Sequence, residues 1–285
     1  MLTSITSFYL GRVSYSPALF LQKAIVQLTK ELGTTRTHTI LLLEHYPVYT
    51  IGVRQTDPAN DYSEAGITDL QKLGAEFVKT DRGGLITYHG PGQLVAYPIV
   101  NLRCKDLIGK GLRWYVCALE QAGVDVCARF GLKAFVGGAS DIGVWLSPTK
   151  KIMSVGVHKT DAITYHGVAL NCTTEPLSWL RKIVPCGLVG REATCLSEAC
   201  RHPIELSDVG IKMSDCLVNS LFGKPSNRKS HLLVQYRTDL QGNWDNSTAN
   251  HSTEFSSHFG SSNPPRIWSD VVNSILQDLR SRTKS

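Results

Sequence analysis

The sequence predicts a mixed α/β protein in which helices cover a sheet of hairpins. Three observations carry that expectation. Two stretches repeat apolar residues at helical spacing and stop at a glycine: Leu21, Ala24, Ile25, Leu28 and Leu32 before Gly33, and Leu112, Tyr115, Val116, Leu119 and Val126 before Gly131. Short apolar runs of strand length lie between them, above all 39–44 (TILLLE), 94–100 and 163–171 (ITYHGVALN). The chain has 285 residues, 42% of them hydrophobic, which suffices for a sizeable core, and no internal repeat.

The elements follow in order. Ser16 and Pro17 have the character of an N-cap and first helical residue, opening a helix that runs to Gly33. Residues 39–44 read as a buried strand and 48–52 as a second one after the turn His45-Tyr46-Pro47. Residues 57–61 form a polar loop, 68–73 a short helix stopped by Gly74, and 76–80 a strand. A glycine-rich stretch, 81–98 (DRGGLITYHGPGQLVAYP), comes next and leaves as the strand 94–100. A helix over 110–130 precedes the strands 143–146 and 152–157, joined by the turn Ser147-Pro148-Thr149-Lys150, and then the strand 163–171. Residues 207–222 suit an amphipathic helix. Residues 224–265 are rich in Ser, Asn, Thr and His and read as a flexible tail, with a short helix over 267–279. The domain expectation is a short segment 1–8, a catalytic domain 9–223 and a flexible extension 224–285.

Composition narrows the function. A net charge of +6 without a Lys/Arg block argues against nucleic acid, and no apolar run of about eighteen residues exists to form a membrane helix. The eight cysteines are scattered with no CxxC pair, which suits reduced thiols. Cys195, Cys200 and His202 have poor spacing for a metal site and no fourth ligand, so no metal is expected. The first 30 residues lack Asp and Glu, which fits a mitochondrial presequence and fits equally a chain that starts at its first strand.

The chemistry-bearing residues cluster in four segments. The stretch 81–98 holds four glycines around a Thr-Tyr-His core, the pattern of a backbone that something must approach closely; a glycine-rich hairpin without a ligand is the alternative. Lys151 opens the apolar strand KIMSVG, an awkward place for a charge without a purpose. HGVALN (166–171) mixes small residues with polar ones. Cys186 stands between Pro185 and Gly187, where a sharp turn can present a thiol. A thiol needs a cationic neighbour to become a thiolate at neutral pH, and an amine is one such neighbour. Alone, Cys186 also reads as a small buried hydrophobe and Lys151 as a strand-edge charge.

The motifs RGGLITYHGPGQ (82–93), KIMSVG (151–156), HGVALN (166–171) and PCG (185–187), with LGRVSY (10–15) and LLLEHYPVYTIG (41–52), together resemble the lipoyl(octanoyl) transferases, over roughly 9–197. The resemblance implies the biotin/lipoate ligase-like fold, a mixed sheet flanked by helices, and octanoyl transfer in two steps. Cys186 would take the octanoyl group from the thioester of acyl carrier protein, and Lys151 would be its acid/base partner. The acceptor would be a lysine of a lipoyl domain, such as glycine-cleavage H protein or a 2-oxoacid dehydrogenase E2 subunit. The matching substrate segments are Arg82, Gly83, Gly84, Leu85, Ile86, Thr87, Tyr88 and His89; Ser154, Val155 and Gly156; and Gly167, Val168 and Ala169. No cofactor is implied, because the thioester is already activated. The eukaryotic type resides in the mitochondrion, a bacterial one in the cytoplasm. Two readings compete: an ATP-dependent lipoate or biotin ligase of the same fold, and a non-catalytic carrier-protein binding module. A cysteine hydrolase is weaker, since no ordered Cys-His-Asn set is visible. Cys195 lies where the family often has serine and is not expected to react.

Overall fold

The computed structural model describes residues 3–33, 35–54, 64–138, 141–183, 190–223, 229–235 and 266–283. The chain opens with β1 (Ser4–Val13), α1 (Tyr15–Glu31), β2 (Thr37–His45) and β3 (Val48–Ile51). Next come α2 (Glu64–Lys72), β4 (Glu76–Lys79), β5 (Thr87–His89) and β6 (Gln93–Ile99). The middle holds α3 (Leu112–Arg129), β7 (Phe135–Val136), β8 (Val144–Ser147), β9 (Lys150–Thr160) and β10 (Ile163–Asn171). It closes with α4 (Glu175–Leu180), β11 (Glu192–Ala193), α5 (Leu196–Cys200), α6 (Leu206–Phe222), β12 (Lys229–Gln235) and α7 (Arg266–Thr283).

Among the described residues the main sheet has the order β12-β1-β2-β6-β10-β9-β8-β7, with β11 added to β9. It is mixed: β1 runs parallel to β2 and β12, whereas β2, β6, β10 and β9 alternate. A small second sheet, β4-β3-β5, stands beside it. The expected mixed sheet with flanking helices is therefore what the chain forms.

Alternation along the central strands sorts side chains onto two faces. Leu94 and Ala96 of β6, with Val168 and Leu170 of β10, join the core under α3 and α6. Val95, Tyr97 and Ile99, with Tyr165 and Ala169, join a second core under α1 and α7. A third cluster, around Tyr49, Ile86 and Tyr88, backs the small sheet.

Two expectations are corrected. α1 begins at Tyr15 with Ser14 in the extended cap conformation, not at Ser16. Pro17 then sits in the first turn, where backbone N–H groups have no helical partner, so proline costs no hydrogen bond there. The flexible extension gives way at β12, while the short helix expected over 267–279 is present as α7. β12 pairs with β1, and α7 buries Val272, Ile275, Leu276 and Leu279 against the α1 side of the core. The intervening residues of the expected tail lie outside the described residues, as do 57–61 of the expected polar loop.

Candidate active site

A cleft of about 470 Å³, counted with its open mouth, lies on the α1 side of the main sheet. Val95 and Tyr97 of β6, Gly167, Val168 and Ala169 of β10, and Ser154, Val155 and Gly156 of β9 line it along the strands. The glycine-rich segment closes over them, tied by Gly83 N–H to the Val157 carbonyl at 3.0 Å. Small residues are needed here: a Cβ on Gly156 would stand 3.1 Å from the Gly83 carbonyl oxygen.

Of the substrate-segment residues expected from sequence, the structure gathers Arg82, Gly83, Gly84, Leu85, Thr87 and His89 with the β9 and β10 triplets around this one cleft. Ile86 and Tyr88 are not among its lining residues. Both are fully buried in the core of the small sheet, where Tyr88 stacks on Trp179 at 5.2 Å. The reason is strand alternation: on β5, Thr87 and His89 face one way and Tyr88 the other.

The polar side chains of the cleft are held by their own neighbours. The buried Arg82 guanidinium donates to the Thr50 hydroxyl at 3.0 and 2.8 Å, to the Thr50 carbonyl at 2.5 Å and to the Gly83 carbonyl at 3.1 Å. Asp81 accepts from both Tyr165 Oη and His166 Nε2, the latter at 2.8 Å. Adjacent strand residues normally point apart, but His166 has φ +57°, and this break in alternation lets neighbours share one carboxylate. Burial opposes the charge on Asp81, yet the hydrogen bonds from His166 and Tyr165 and the nearby Lys23 hold its carboxyl well below the usual range. Burial also pushes His166 down, against the pull of Asp81, so the contact is a neutral imidazole donating to a carboxylate.

His45 donates from Nδ1 to the Val13 carbonyl at 2.8 Å, which leaves Nε2 to accept from Tyr97 Oη at 2.7 Å. Burial lowers His45 to about 4, and burial together with His45 lowers His89 to about 3. The imidazoles around the cleft are uncharged at neutral pH.

Lys151 does not line the cleft among the described residues. It is the second residue of β9, and its ammonium donates to the Ile142 carbonyl at 2.7 Å and lies 5.3 Å from the centre of the Trp145 ring. Glu120, buried on α3, accepts from Gly143 N–H at 2.7 Å beside it. Burial raises the Glu120 carboxyl, while Gly143 and Lys151 oppose that rise. Cys186, with Pro185 and Gly187, lies outside the described residues. The described chain on either side ends at Ile183, packed in the small-sheet core, and resumes at Gly190 and Arg191, whose guanidinium lies 5.0 Å from the same Trp145 ring. Cys195 is fully buried, with Sγ 3.4 Å from Ser197 Oγ, and no cluster of metal-ligating side chains occurs among the described residues.

Sequence reasoning missed Tyr15, Val95, Tyr97 and His166 as lining residues, and Asp81 and Thr50 as their supports. Val95, Tyr97 and His166 fall inside segments the motifs had marked. The missing signal was which alternate residues turn inward. Tyr15 ends the motif LGRVSY, but nothing in that motif set its side chain apart as one that faces the cleft.

The chain matches the family model for the lipoyl protein ligase A/B catalytic domain over residues 14–217. It is 47% identical over 195 residues to the mitochondrial octanoyl-acyl-carrier-protein:protein N-octanoyltransferase of Danio rerio, covering 68% of this chain and 82% of that one. The protein of the same name from Homo sapiens is 40% identical over 208 residues, covering 70% and 86%. An octanoyltransferase of Bacteroides fragilis is 38% identical, covering 68% and 86%. Among solved structures, lipoate-protein ligase A bound with ATP superposes with TM-score 0.61 at 12% identity, covering 97% of this chain and 95% of that one, which is a likeness of fold.

Proposed function

As a member of the lipoyl protein ligase A/B catalytic-domain family, the chain is an octanoyltransferase, and we propose that it works through an acyl-thioester on Cys186. Its donor is an octanoyl thioester on acyl carrier protein and its acceptor a protein lysine. The eukaryotic relatives are named mitochondrial, and that is the compartment assigned here. We assign the acceptor lysine to lipoyl domains, with glycine-cleavage H protein and 2-oxoacid dehydrogenase E2 subunits as its carriers.

In the first step the Cys186 thiolate forms a bond to the octanoyl carbonyl carbon, the bond from that carbon to the pantetheine sulfur breaks, and the Lys151 ammonium gives its proton to that leaving sulfur. One thioester replaces another, so the exchange is nearly thermoneutral. In the second step the amine nitrogen bonds to the carbonyl carbon, the Cys186 C–S bond breaks, and the amine proton passes to Lys151 as base. Amide formation makes this step downhill.

The observation that carries the reading is the cleft itself. Its glycines, alanine and valines form a largely apolar wall beside β9, along which a straight acyl chain would lie. The test is the intact mass of the protein after incubation with octanoyl carrier protein. The expected result is one octanoyl adduct, lost in Cys186→Ala and slow to form in Lys151→Ala. Full transfer by Cys186→Ala with ATP and free acid would overturn it in favour of a ligase, and binding without any adduct in favour of a non-catalytic module.

A further inference from the structure

A chain of side-chain amides runs from β11 to the cleft, and its polarity can be read from its ends. Asn171 Nδ2 donates to the Thr194 carbonyl at 3.0 Å. A carbonyl can only accept, so Asn171 must turn Oδ1 toward Gln93, whose Nε2 donates to it at 2.9 Å. The second Nε2 proton of Gln93 reaches the Tyr88 carbonyl at 3.3 Å, a further pure acceptor that fixes the same orientation independently. Gln93 Oε1 is then the atom 2.7 Å from His89 Nδ1. An amide oxygen cannot donate, so Nδ1 carries the proton and Nε2 is a bare lone pair. Reversing the chain would set oxygen against oxygen at Thr194 and at Tyr88.

His89 lines the cleft, and all three side chains of the relay are buried. The groups that face the His89 ring are His45 at 5.9 Å, the parallel ring of Tyr15 at 6.3 Å, and the charges and dipoles of Arg82 and His166. Burial keeps the ring neutral, so it acts as a fixed acceptor and not as a proton carrier. The relay also locates His89 along the cleft: Thr194 N–H donates to the Lys151 carbonyl at 2.8 Å, which ties the chain to the Lys151 end of β9.

We propose that Gln93 and Asn171 are positioning residues that hold His89 as the Nδ1–H tautomer, so that Nε2 accepts a hydrogen bond from the incoming amine. This rests on the acyl-transfer reading above. The argument for the ligand is chemical: the octanoyl chain and the thioester group themselves carry no N–H or O–H, so a bare acceptor beside them serves the incoming nucleophile. A neutral amine keeps an N–H to give to Nε2 while its lone pair attacks.

The test is side-chain nitrogen NMR of the full ¹⁵N-labelled chain at neutral pH, with His89→Gln to assign the ring. The expected spectrum gives His89 a protonated Nδ1 and a pyridine-type Nε2. In Gln93→Leu and Asn171→Leu the His89 signals should shift toward the other tautomer while those of His45, fixed by Val13, stay in place. The wild-type measurement needs no relay variant to fold, and an Nε2–H or doubly protonated His89 would overturn the proposal. Kinetics supply the second arm: Gln93→Leu should lower kcat about tenfold for amide formation, with the Cys186 adduct still forming. An unchanged kcat with an altered tautomer would reject the role for the amine. Failure of any adduct to form in wild type would instead count against the thioester mechanism.

Discussion

The two faces of one sheet have been put to opposite uses. Leu94, Ala96 and Leu170 look into a core of aliphatic side chains and buried thiols under α3 and α6, and Val168 touches both that core and the cleft. One residue along, Val95, Tyr97 and Ala169 look into the cleft, among Arg82, His89 and His166. The difference teaches that neighbouring residues of β10 answer to different demands. One face is filled with packed side chains, whereas the other keeps a space open, and its walls are braced from behind by hydrogen bonds.

Four experiments would break or sharpen that contrast, in order of their expected effect on stability. Gly167 serves both faces, since a Cβ would stand 2.1 Å from the Ala96 carbonyl oxygen. Gly167→Val should cost more than about 4 kcal/mol, read as loss of the cooperative unfolding transition. Leu170→Ala, on the filled face, should lower stability by about 2–5 kcal/mol in urea titration while the folded enzyme keeps most of its activity. If it removed activity at native stability, the separation of the faces would be wrong.

Acid comes third. His45 and His89 have folded pKa values lowered to about 4 and 3, against about 6.5 in the unfolded chain. Between those values the unfolded state binds more protons, so stability is fully present above about pH 6.5 and is lost as pH falls toward 4. Each ring contributes a slope of up to about 1.4 kcal/mol per pH unit, and urea midpoints at pH 7 and pH 5 should differ accordingly. His45→Gln should flatten the slope; an unchanged slope would mean that these rings are not the groups responsible. The smallest effect on stability belongs to Ala169→Leu. Added methylenes in a packed core usually cost about 1–3 kcal/mol, but here they enter open space, so the change should stay under about 1 kcal/mol. The octanoyl adduct should nevertheless fall at least tenfold, and an undiminished adduct would show that the acyl chain lies elsewhere.

The sequence was legible where a local rule governs the residue. The periodic helices, the strand 39–44 and the glycine stops at Gly33 and Gly131, both at positive φ, follow from spacing and backbone chemistry. The site was legible as segments, because glycines cluster where a backbone must come close. It was not legible as side chains. Tyr88 was expected beside His89 and faces the opposite way, since pleat direction depends on which core a short strand covers. His166 breaks alternation through one left-handed residue that no composition rule forecasts. Asn171 meets the Thr194 carbonyl only because β11 joins β9, a pairing between segments that share no sequence pattern.

The packing of α7 on α1 has a consequence for synthesis. Leu21, Ile25 and Leu28 of α1 leave the ribosome early, whereas Val272, Ile275 and Leu279 follow more than two hundred residues later. At about 5–20 residues per second that interval is on the order of 10–50 seconds. For all that time the apolar stripe of α1 stands without its last cover, and a chaperone has a window in which to hold it. The helix that places Tyr15 at the cleft is thus made long before it is secured.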